Sequence, residues 1–472
     1  MKKFFLAFII FAFAACNNGG NEEQPPQTNN PTTNQQETTT TPETPAEPVR
    51  DLGGLEIVIG NWWADENSDT VEPTSFTERL RWDDRMELER THNFRIHSQN
   101  YFGTWGDHRD LLSLQLNAGN RDVHIWIMEP TWFSTMHGQG LFAGIDPAHF
   151  EHGDINWNQD VLRLTTRDGR PHAFSNETLF SSGVYFNMRL FEEAGLPADY
   201  PFQLQAEGRW NWDTFTEMLR SLSRDLDNDG INDTWGMASF NDDFLSQALA
   251  SNGAGYVSID PATGAFVNAT SSPEFLETLI WARYLRDERL AMHEEDIDGE
   301  WNFFIDAFNT GLAATRAAAH YVASGQILPN LADPWGFVSF PEGPSARGGH
   351  WSWAAPNFNA IPHFYTEQEI DDIMFALRLW NRELPDSEDD DWKIGEYARH
   401  FEPRSVDETM VNFTRVSDFQ VFPAHQLIPG GIDIGPNWAW RVWGDADPAT
   451  IIEEATLILD ERLAQVNASL GN

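Results

Sequence analysis

The sequence predicts an α/β fold of mostly parallel sheets flanked by helices, and three observations carry that prediction. Strand and helix signatures alternate from Leu55 onward. The helices are marked by capping residues at their starts. No fixed-period repeat is present, which removes solenoids and propellers.

The elements can be read off in order. Leu55-Glu56-Ile57-Val58-Ile59 is a strand run closed by Gly60. A helix follows from Phe76 to about Arg90, with apolar positions at Phe76, Leu80, Met86 and Leu88. Phe94 to His97 reads as the next strand, and a second helix runs from about Asp107 to Asn117 and stops at Gly119. Asp122 to Ile127 is then a third strand, completing a βαβαβ opening. Further on, Ser272-Pro273-Glu274 opens a helix, Thr366 and Glu369 form a capping box before Ile370 to Trp380, and Asp447-Pro448 opens a last helix to about Val466.

Composition limits the function. The chain has 472 residues, with 30 Lys plus Arg against 73 Asp plus Glu, a net charge of −43. Such a field repels polyanions, and no basic patch offsets it, so no nucleic-acid partner is expected. The partners it favours are neutral or cationic. The single Cys rules out an internal disulfide or a multi-cysteine metal site. The 14 His show no His-x-x-x-His spacing, which argues against a zinc enzyme. Glu388-Asp389-Asp390-Asp391 reads as a solvated loop.

The N-terminus has its own texture. Lys2-Lys3, an apolar run from Phe4 to Ala15 and then Cys16 form a charged, apolar and small-residue sequence typical of an export signal. As a helix the run would span only about 18 Å, too short for a bilayer core of about 30 Å. Residues 1–15 therefore read as a signal peptide. The pattern resembles the bacterial lipoprotein signal, with Phe13 where that family usually has Leu; the resemblance implies lipidation of Cys16. Residues 16–52, nearly all Asn, Gln, Thr, Pro, Glu and Gly, cannot repay the entropy of ordering and read as a disordered tether.

The central segment carries a second resemblance. Tyr185-Phe186-Asn187-Met188-Arg189-Leu190-Phe191-Glu192-Glu193-Ala194-Gly195-Leu196-Pro197, followed by Trp210-Asn211-Trp212-Asp213-Thr214-Phe215, resembles the extracellular solute-binding proteins of sugar-type ABC importers. Ala118-Gly119-Asn120 with Asp122-Val123, a segment from Phe308 to Ala314 read as helix, and a strand from Phe337 leading to Pro341-Glu342-Gly343-Pro344 agree in order. The resemblance implies a two-lobed clamshell of the type II periplasmic-binding-protein kind. It assigns 53–172 plus 295–345 to the first lobe and 173–294 plus 346–472 to the second, with crossovers near Pro171, Glu295 and Ala346. It further implies a lipid-anchored, monomeric binding protein on the outer side of the cell membrane. Such a protein would capture a carbohydrate, plausibly an oligosaccharide, and deliver it to permease subunits.

Asp225-Leu226-Asp227-Asn228-Asp229-Gly230-Ile231-Asn232-Asp233 places carboxylates at alternate positions with Gly at the sixth, the pattern of the first half of a calcium loop. The expected Ca²⁺ ligands are Asp225, Asp227, Asp229, the carbonyl of Ile231, and Asp233. Gly236 stands where an EF-hand would have Glu, so a paired sensor is excluded and the expected role is structural.

With 20 Trp in the chain, ligand-stacking candidates are chosen by position. Trp62 and Trp63 follow the first strand, at the sheet edge where ligands bind in parallel α/β structures. By resemblance the candidates also include Trp126 and Glu129, with Trp132 nearby, and Glu177 beside Asn176. The same resemblance adds His320 and Tyr321, Trp351 and Trp353 after His350, and Trp438 and Trp440. Strand alternation lets only one Trp of each Trp-x-Trp pair face a ligand. Trp-lined acidic clefts also suit a secreted glycoside hydrolase, which needs two carboxylates flanking one bond, or a sensory or adhesive lectin. Both remain open from the residues alone.

Overall fold

The structure, a computed structural model, describes residues 49–63, 76–153, 155–176, 182–293, 302–354, 356–384, 392–413, 420–444 and 446–470. Cys16, the signal segment, most of the tether and Glu177 lie outside the described residues. Apart from Val49, the described residues belong to one unit, Arg50–Asn472. Among them, no helix is long and apolar enough to cross a membrane.

Two four-stranded sheets organise the unit. The first is built from β1 (Leu55–Asn61), β2 (Phe94–Asn100), β3 (Ile125–Met128) and, much later in the chain, β8 (Phe358–Ala360), in the order β8-β3-β1-β2. Between them run α1 (Phe76–His92), α2 (Trp105–Ala118) and, after β3, α3 (Pro130–Gly138). The second sheet comprises β4 (Ser182–Asn187), β5 (Trp235–Met237), β6 (Ala313–Ala319) and β7 (Trp335–Ser339), in the order β7-β4-β6-β5. Its helices include α4 (Trp212–Leu222), α5 (Asn241–Ser251) and α6 (Pro273–Asp287). Helix α7 (Glu367–Asn381) returns to the first lobe, and α8 (Pro448–Leu470) closes the chain.

Local chemistry explains the element ends. Thr104 accepts from Asp107 N–H to start α2, and Gly119, at φ 67°, ends it in the left-handed conformation that glycine tolerates. Asn187 closes β4 and caps the helix Met188–Glu193 by accepting from Arg189 and Leu190 N–H. The Asn211–Thr214 and Thr366–Glu369 capping boxes are both formed. In α4 the buried positions Trp212, Phe215, Met218, Leu219 and Leu222 fall on one helical stripe.

Three expectations require correction. The first concerns the lobe boundaries. Strands β6 and β7, expected in the first lobe within 295–345, pair with β4 and β5 in the second sheet. Ala291 bridges Met237 of that same sheet, so the chain stays in one lobe on both sides of Glu295 and no crossover falls there. The return occurs between β7 and β8, where β8 pairs with β3 and α7 packs on β2 and α1. A third crossing follows α7, and Phe337 N–H donates to Ser405 Oγ at 3.0 Å. A strand's own sequence does not name its partner strand, and pairing here is set by long-range packing.

The second correction concerns direction. The first sheet is parallel except for β8, and in the second β4 alone runs against its neighbours, making that sheet mixed. Strands β4 and β8 are each the first to form after a lobe crossover. They enter without the right-handed βαβ connection that keeps consecutive strands parallel.

The third concerns ends. Ala314 lies in β6 rather than in a helix, since the preceding helix ends at Asn309. The tether's last residues are anchored: Leu52 N–H donates to His92 O at 2.8 Å, Arg50 pairs with Asp371 at 2.6 Å, and it also pairs with Asp372.

Apolar burial joins the layers. Ile57, Phe94, Ile96 and Ile125 of the first sheet pack against Ile370, Ile373, Met374 and Leu377 of α7. A larger cluster runs from Leu112, Leu116 and Trp132 into Phe186, Phe215, Leu249 and Leu279 of the second lobe. Helix α3 packs against Ala424–Leu427, so the lobes share a continuous apolar seam.

Candidate functional site

The strand ends of the first lobe gather aromatic residues around α2 and α3. Trp62, half-buried just past β1, lies edge-on to Trp63 at 4.6 Å between ring centroids and 5.3 Å from Trp132. Trp105, the first residue of α2, packs 5.3 Å from Trp132 and donates its indole N–H to Glu129 Oε1 at 2.8 Å. Glu129 stands at the cap position of α3 without bonding the helix, its carboxylate turned to Trp105 instead. Burial raises its pKa, opposed by the Trp105 bond and the Arg109 charge. Trp63 is 51% and Trp105 42% exposed.

Across from these, the second lobe contributes Tyr321 just past β6, Asp242 and Asp243 in the first turn of α5, Arg316 within β6, and Trp440. Tyr321 is 66% exposed, yet enough protein surrounds its hydroxyl for desolvation to raise the pKa, as for a side chain standing in a cleft. Its hydroxyl also feels Asp243 and Arg316 of its own lobe and Glu129 of the other, which links the two walls. Asp243 is exposed, yet the protein around its carboxylate pushes it up to about 6 by desolvation, with Arg316 opposing. Asp242 is likewise pushed up to about 6, by desolvation and then by the Asp243 charge, with the Trp440 indole opposing. Trp440 is 54% exposed and backs onto Gly435, where a Cβ would come within 2.4 Å of its ring.

Arg316 is the buried cation of this wall. It is 3% exposed, lies 5.0 Å from the Phe304 ring centroid and donates Nη2–H to Gln326 Oε1 at 2.6 Å. Among the described residues its Nε and Nη1 groups have no hydrogen-bond partner, and burial lowers its pKa to about 10. The arrangement combines exposed flat aromatic faces, carboxylate acceptors on both lobes and a guanidinium donor. Together these can stack a ring and bind its hydroxyls.

The predicted residues divide clearly. Trp62, Trp63 and Glu129 belong to the first-lobe group and Tyr321 and Trp440 to the second-lobe group. His320 is half-buried beside Tyr321, with its carbonyl accepting from the Tyr185 hydroxyl at 2.8 Å. Trp351 is half-buried, its indole donating to Gly348 O at 2.7 Å. Three candidates are core residues instead. Trp126, 2% exposed, stacks on Phe102 and sits over Gly60, where a Cβ would lie 2.7 Å from its ring. Trp353 is buried against Tyr256 and His425, and Trp438 is 1% exposed against Tyr256 and Phe275. Each Trp-x-Trp pair does split between a buried and a more exposed member. For Trp438 and Trp440 the cause is a helical turn, Gly435–Ala439 running into Trp440–Trp443, and not strand alternation.

Sequence reasoning missed Trp105, Asp242, Asp243 and Arg316. The first three sit in helix first turns just past β2 and β5, the sheet edge that singled out Trp62. Arg316 was signalled by its setting, a lone cation in Ala313-Ala314-Thr315-Arg316-Ala317-Ala318-Ala319.

Two further features lie apart from this cluster. A cavity of about 510 Å³ is lined by Arg163, Gly253, Ser272, Arg347, Trp353 and His425, among others, and of the predicted residues it holds only Trp353. In the acidic loop, ligand oxygens of Asp225, Asp227 and Asp229 lie within 4.8 Å of one another. Asp225 folds the turn by accepting from Asp229 and Gly230 N–H, with Asn228 and Gly230 at positive φ. Asp233 stands outside the trio and accepts from Leu226 N–H at 2.6 Å.

A family model described as bacterial extracellular solute-binding protein matches residues 99–362. No curated protein matches by sequence. Among solved structures, the cyclic α-maltosyl-1,6-maltose binding protein from Arthrobacter globiformis superposes with a TM-score of 0.61 at 14% identity, covering 87% of this chain and 99% of that one. An ABC substrate-binding protein from Listeria monocytogenes, in complex with cycloalternan, gives 0.55 at 15% identity, covering 88% and 99%. A Mycobacterium tuberculosis protein in complex with glycerophosphocholine gives 0.58 at 15% identity, with the same coverage.

Proposed function

The chain belongs to the family of bacterial extracellular solute-binding proteins, and from that premise we propose that it captures an oligosaccharide between its lobes and delivers it to the permease of an ABC importer. The observation that carries this reading is the two-walled cluster of exposed Trp63, Trp105, Tyr321 and Trp440 around Glu129, Asp242 and Asp243. Aromatic faces stack on the C–H faces of pyranose rings, and carboxylates accept from ring hydroxyls. The glycan-binding relatives from Arthrobacter and Listeria support a carbohydrate cargo. The relative bound to glycerophosphocholine has the same fold with a different ligand, so the side chains, not the fold, must decide.

In this reading the protein works as a monomer and is no enzyme: ligand bridges the lobes and leaves uncut. Cys16 carries the lipid that holds it on the outer side of the cell membrane, and 17–49 is the spacer. The Asp225, Asp227 and Asp229 trio holds a structural Ca²⁺, since three carboxylates this close repel unless a cation offsets them.

The test is a thermal-shift screen against glycans, peptides and polyamines, because a ligand that binds only the native state raises the melting temperature. A shift with one glycan family, recovered intact, is expected. A shortened glycan would make the protein a hydrolase, and a shift with peptides alone would remove the carbohydrate.

A further inference from the structure

Apart from the interlobe cluster, we propose that the cavity of about 510 Å³ beside Trp353 is a second binding site, shaped for a small organic acid with one carboxylate on an apolar body. This site does not depend on the carbohydrate reading.

The cavity forms where two crossings of the chain meet. Ser352 and Trp353, on the way from β7 to β8, pair in parallel with Gln420 and Val421, which follow α7. That pairing sets the Trp353 and His425 rings 5.2 Å apart, both residues being buried. Against them the chain leaves α5 as Gly253-Ala254-Gly255. A Cβ on Gly255 would lie 3.4 Å from the Trp353 ring, and one on Gly253, at φ 74°, would lie 3.5 Å from Arg347 Nε. Two residues span at most about 7 Å. The guanidinium, the indole and the imidazole therefore border one opening, and all three line the same cavity. Leu164, in the helix Gln159–Thr165, adds a wall from the first lobe.

The polar groups of the lining specify the ligand. His425 is 6% exposed, and among the described residues its imidazole makes no hydrogen bond. A buried polar side chain left this way is costly unless something in the cavity bonds it. Burial keeps the ring neutral, its pKa pushed down to about 3, so it offers an N–H without a charge. Arg347 is exposed, and among the described residues it pairs with no carboxylate; its one hydrogen bond, from Nη2–H to Gly253 O, is 3.4 Å long. Arg163, also in the lining, is taken by Asp160 at 2.8 Å. Glu274 is the one acid of the lining. A single free guanidinium attracts one negative charge, and Glu274 works against a second, which disfavours phosphates and dicarboxylates. Val257, Ile259 and Phe422 join Trp353 as apolar surface, so the body that carries the charge is apolar as well. A carboxylate placed here accepts from Arg347 and His425 while its body lies against Trp353. The volume falls within the range of about 300–1,000 Å³ usual for small-molecule sites.

The test is calorimetric titration of the protein at pH 7 with phenylacetate, 3-phenylpropionate and indole-3-acetate, each beside its uncharged amide, and with inorganic phosphate. At least one acid is expected to bind about tenfold or more tightly than its amide and than phosphate. Arg347→Ala should remove that preference, and His425→Phe, which keeps a ring and removes the N–H, should weaken the acid, with melting curves confirming that both variants fold. No binding by any acid, equal binding of acid and amide, or phosphate binding as tightly as the acids would overturn the proposal. So would acid binding that survives Arg347→Ala and is lost in Trp440→Ala, which would put the acid in the interlobe cleft and leave this cavity without a ligand.

Discussion

Trp438 and Trp440 are two residues apart and serve opposite purposes. Trp438 is enclosed by Tyr256 and Phe275 at 1% exposure, so truncating it opens a cavity in the largest core cluster. Trp438→Ala should cost about 3–5 kcal/mol of stability, measured by denaturant melts. Trp440 leaves half its surface open, and Trp440→Ala should leave stability within about 0.5 kcal/mol while weakening glycan affinity about tenfold or more. A Trp440→Ala variant that melts early but binds normally would reverse the assignment. The carboxylates give a second residue-scale prediction. Asp243 has a folded pKa of about 6 against an ordinary value of 3.8, so its neutral form is favoured in the folded state. Its contribution to stability is therefore present below about pH 3.8 and lost as pH rises through 6. Asp243→Asn should raise the melting temperature of the ligand-free protein at pH 7.5, and the gain should vanish as pH falls toward 4. A gain independent of pH would mean that charge is not its source. These residues also mark what the sequence could reveal. Tyr321, Trp440 and Trp126 were all candidates by the same resemblance, yet the first two are exposed and Trp126 is buried over Gly60, because nothing in a strand's own pattern records what the facing glycine leaves room for.

At the scale of elements, what is local was legible and what is paired was not. The capping residues Thr104, Asn211, Ser272 and Thr366 act within three positions of themselves; Ser272 and Thr366 mark their helices as expected, and Thr104 and Asn211 use the same local chemistry. Strand β7 was visible from Phe337 and β6 was not, its start being read as helix, and the place of both beside β4 depends on partners more than a hundred residues away. That sheet is also unusually close-set: a Cβ on Gly183 of β4 would come 2.2 Å from Val338 O in β7. The acidic loop after α4 is the element whose stability should answer to conditions. Its turn is already held by bonds from Asp229, Gly230 and Ile231 N–H to Asp side chains, which leaves the trio converging at the surface. Calcium should raise the melting temperature and a chelator should lower it, with Asp227→Asn blunting both effects. An identical melt in calcium and in chelator would remove the metal from the account of this loop.

The molecule as a whole is two lobes joined along an apolar seam. Each lobe has its own sheet, and the chain passes between them at 176–182, between β7 and β8, and after α7. Three crossings restrict the relative motion of the lobes more than a single linker would. The cleft walls belong to different lobes, Glu129 and Trp105 to one and Tyr321, Asp243 and Trp440 to the other, and the Glu129 charge already acts on Tyr321. A ligand that bonds both walls gains more in the closed arrangement than in the open one, and that difference sets how far the population shifts. A ligand touching one wall would bind without closing anything. Saturating the protein with its cognate glycan should therefore lower the radius of gyration in small-angle scattering. Glu129→Gln should reduce the contraction by weakening the first-lobe contact, while Asp225→Asn, far from the walls, should leave it unchanged. Unaltered scattering under saturating ligand would mean that the lobes form a fixed groove, and that whatever the permease recognises is not closure.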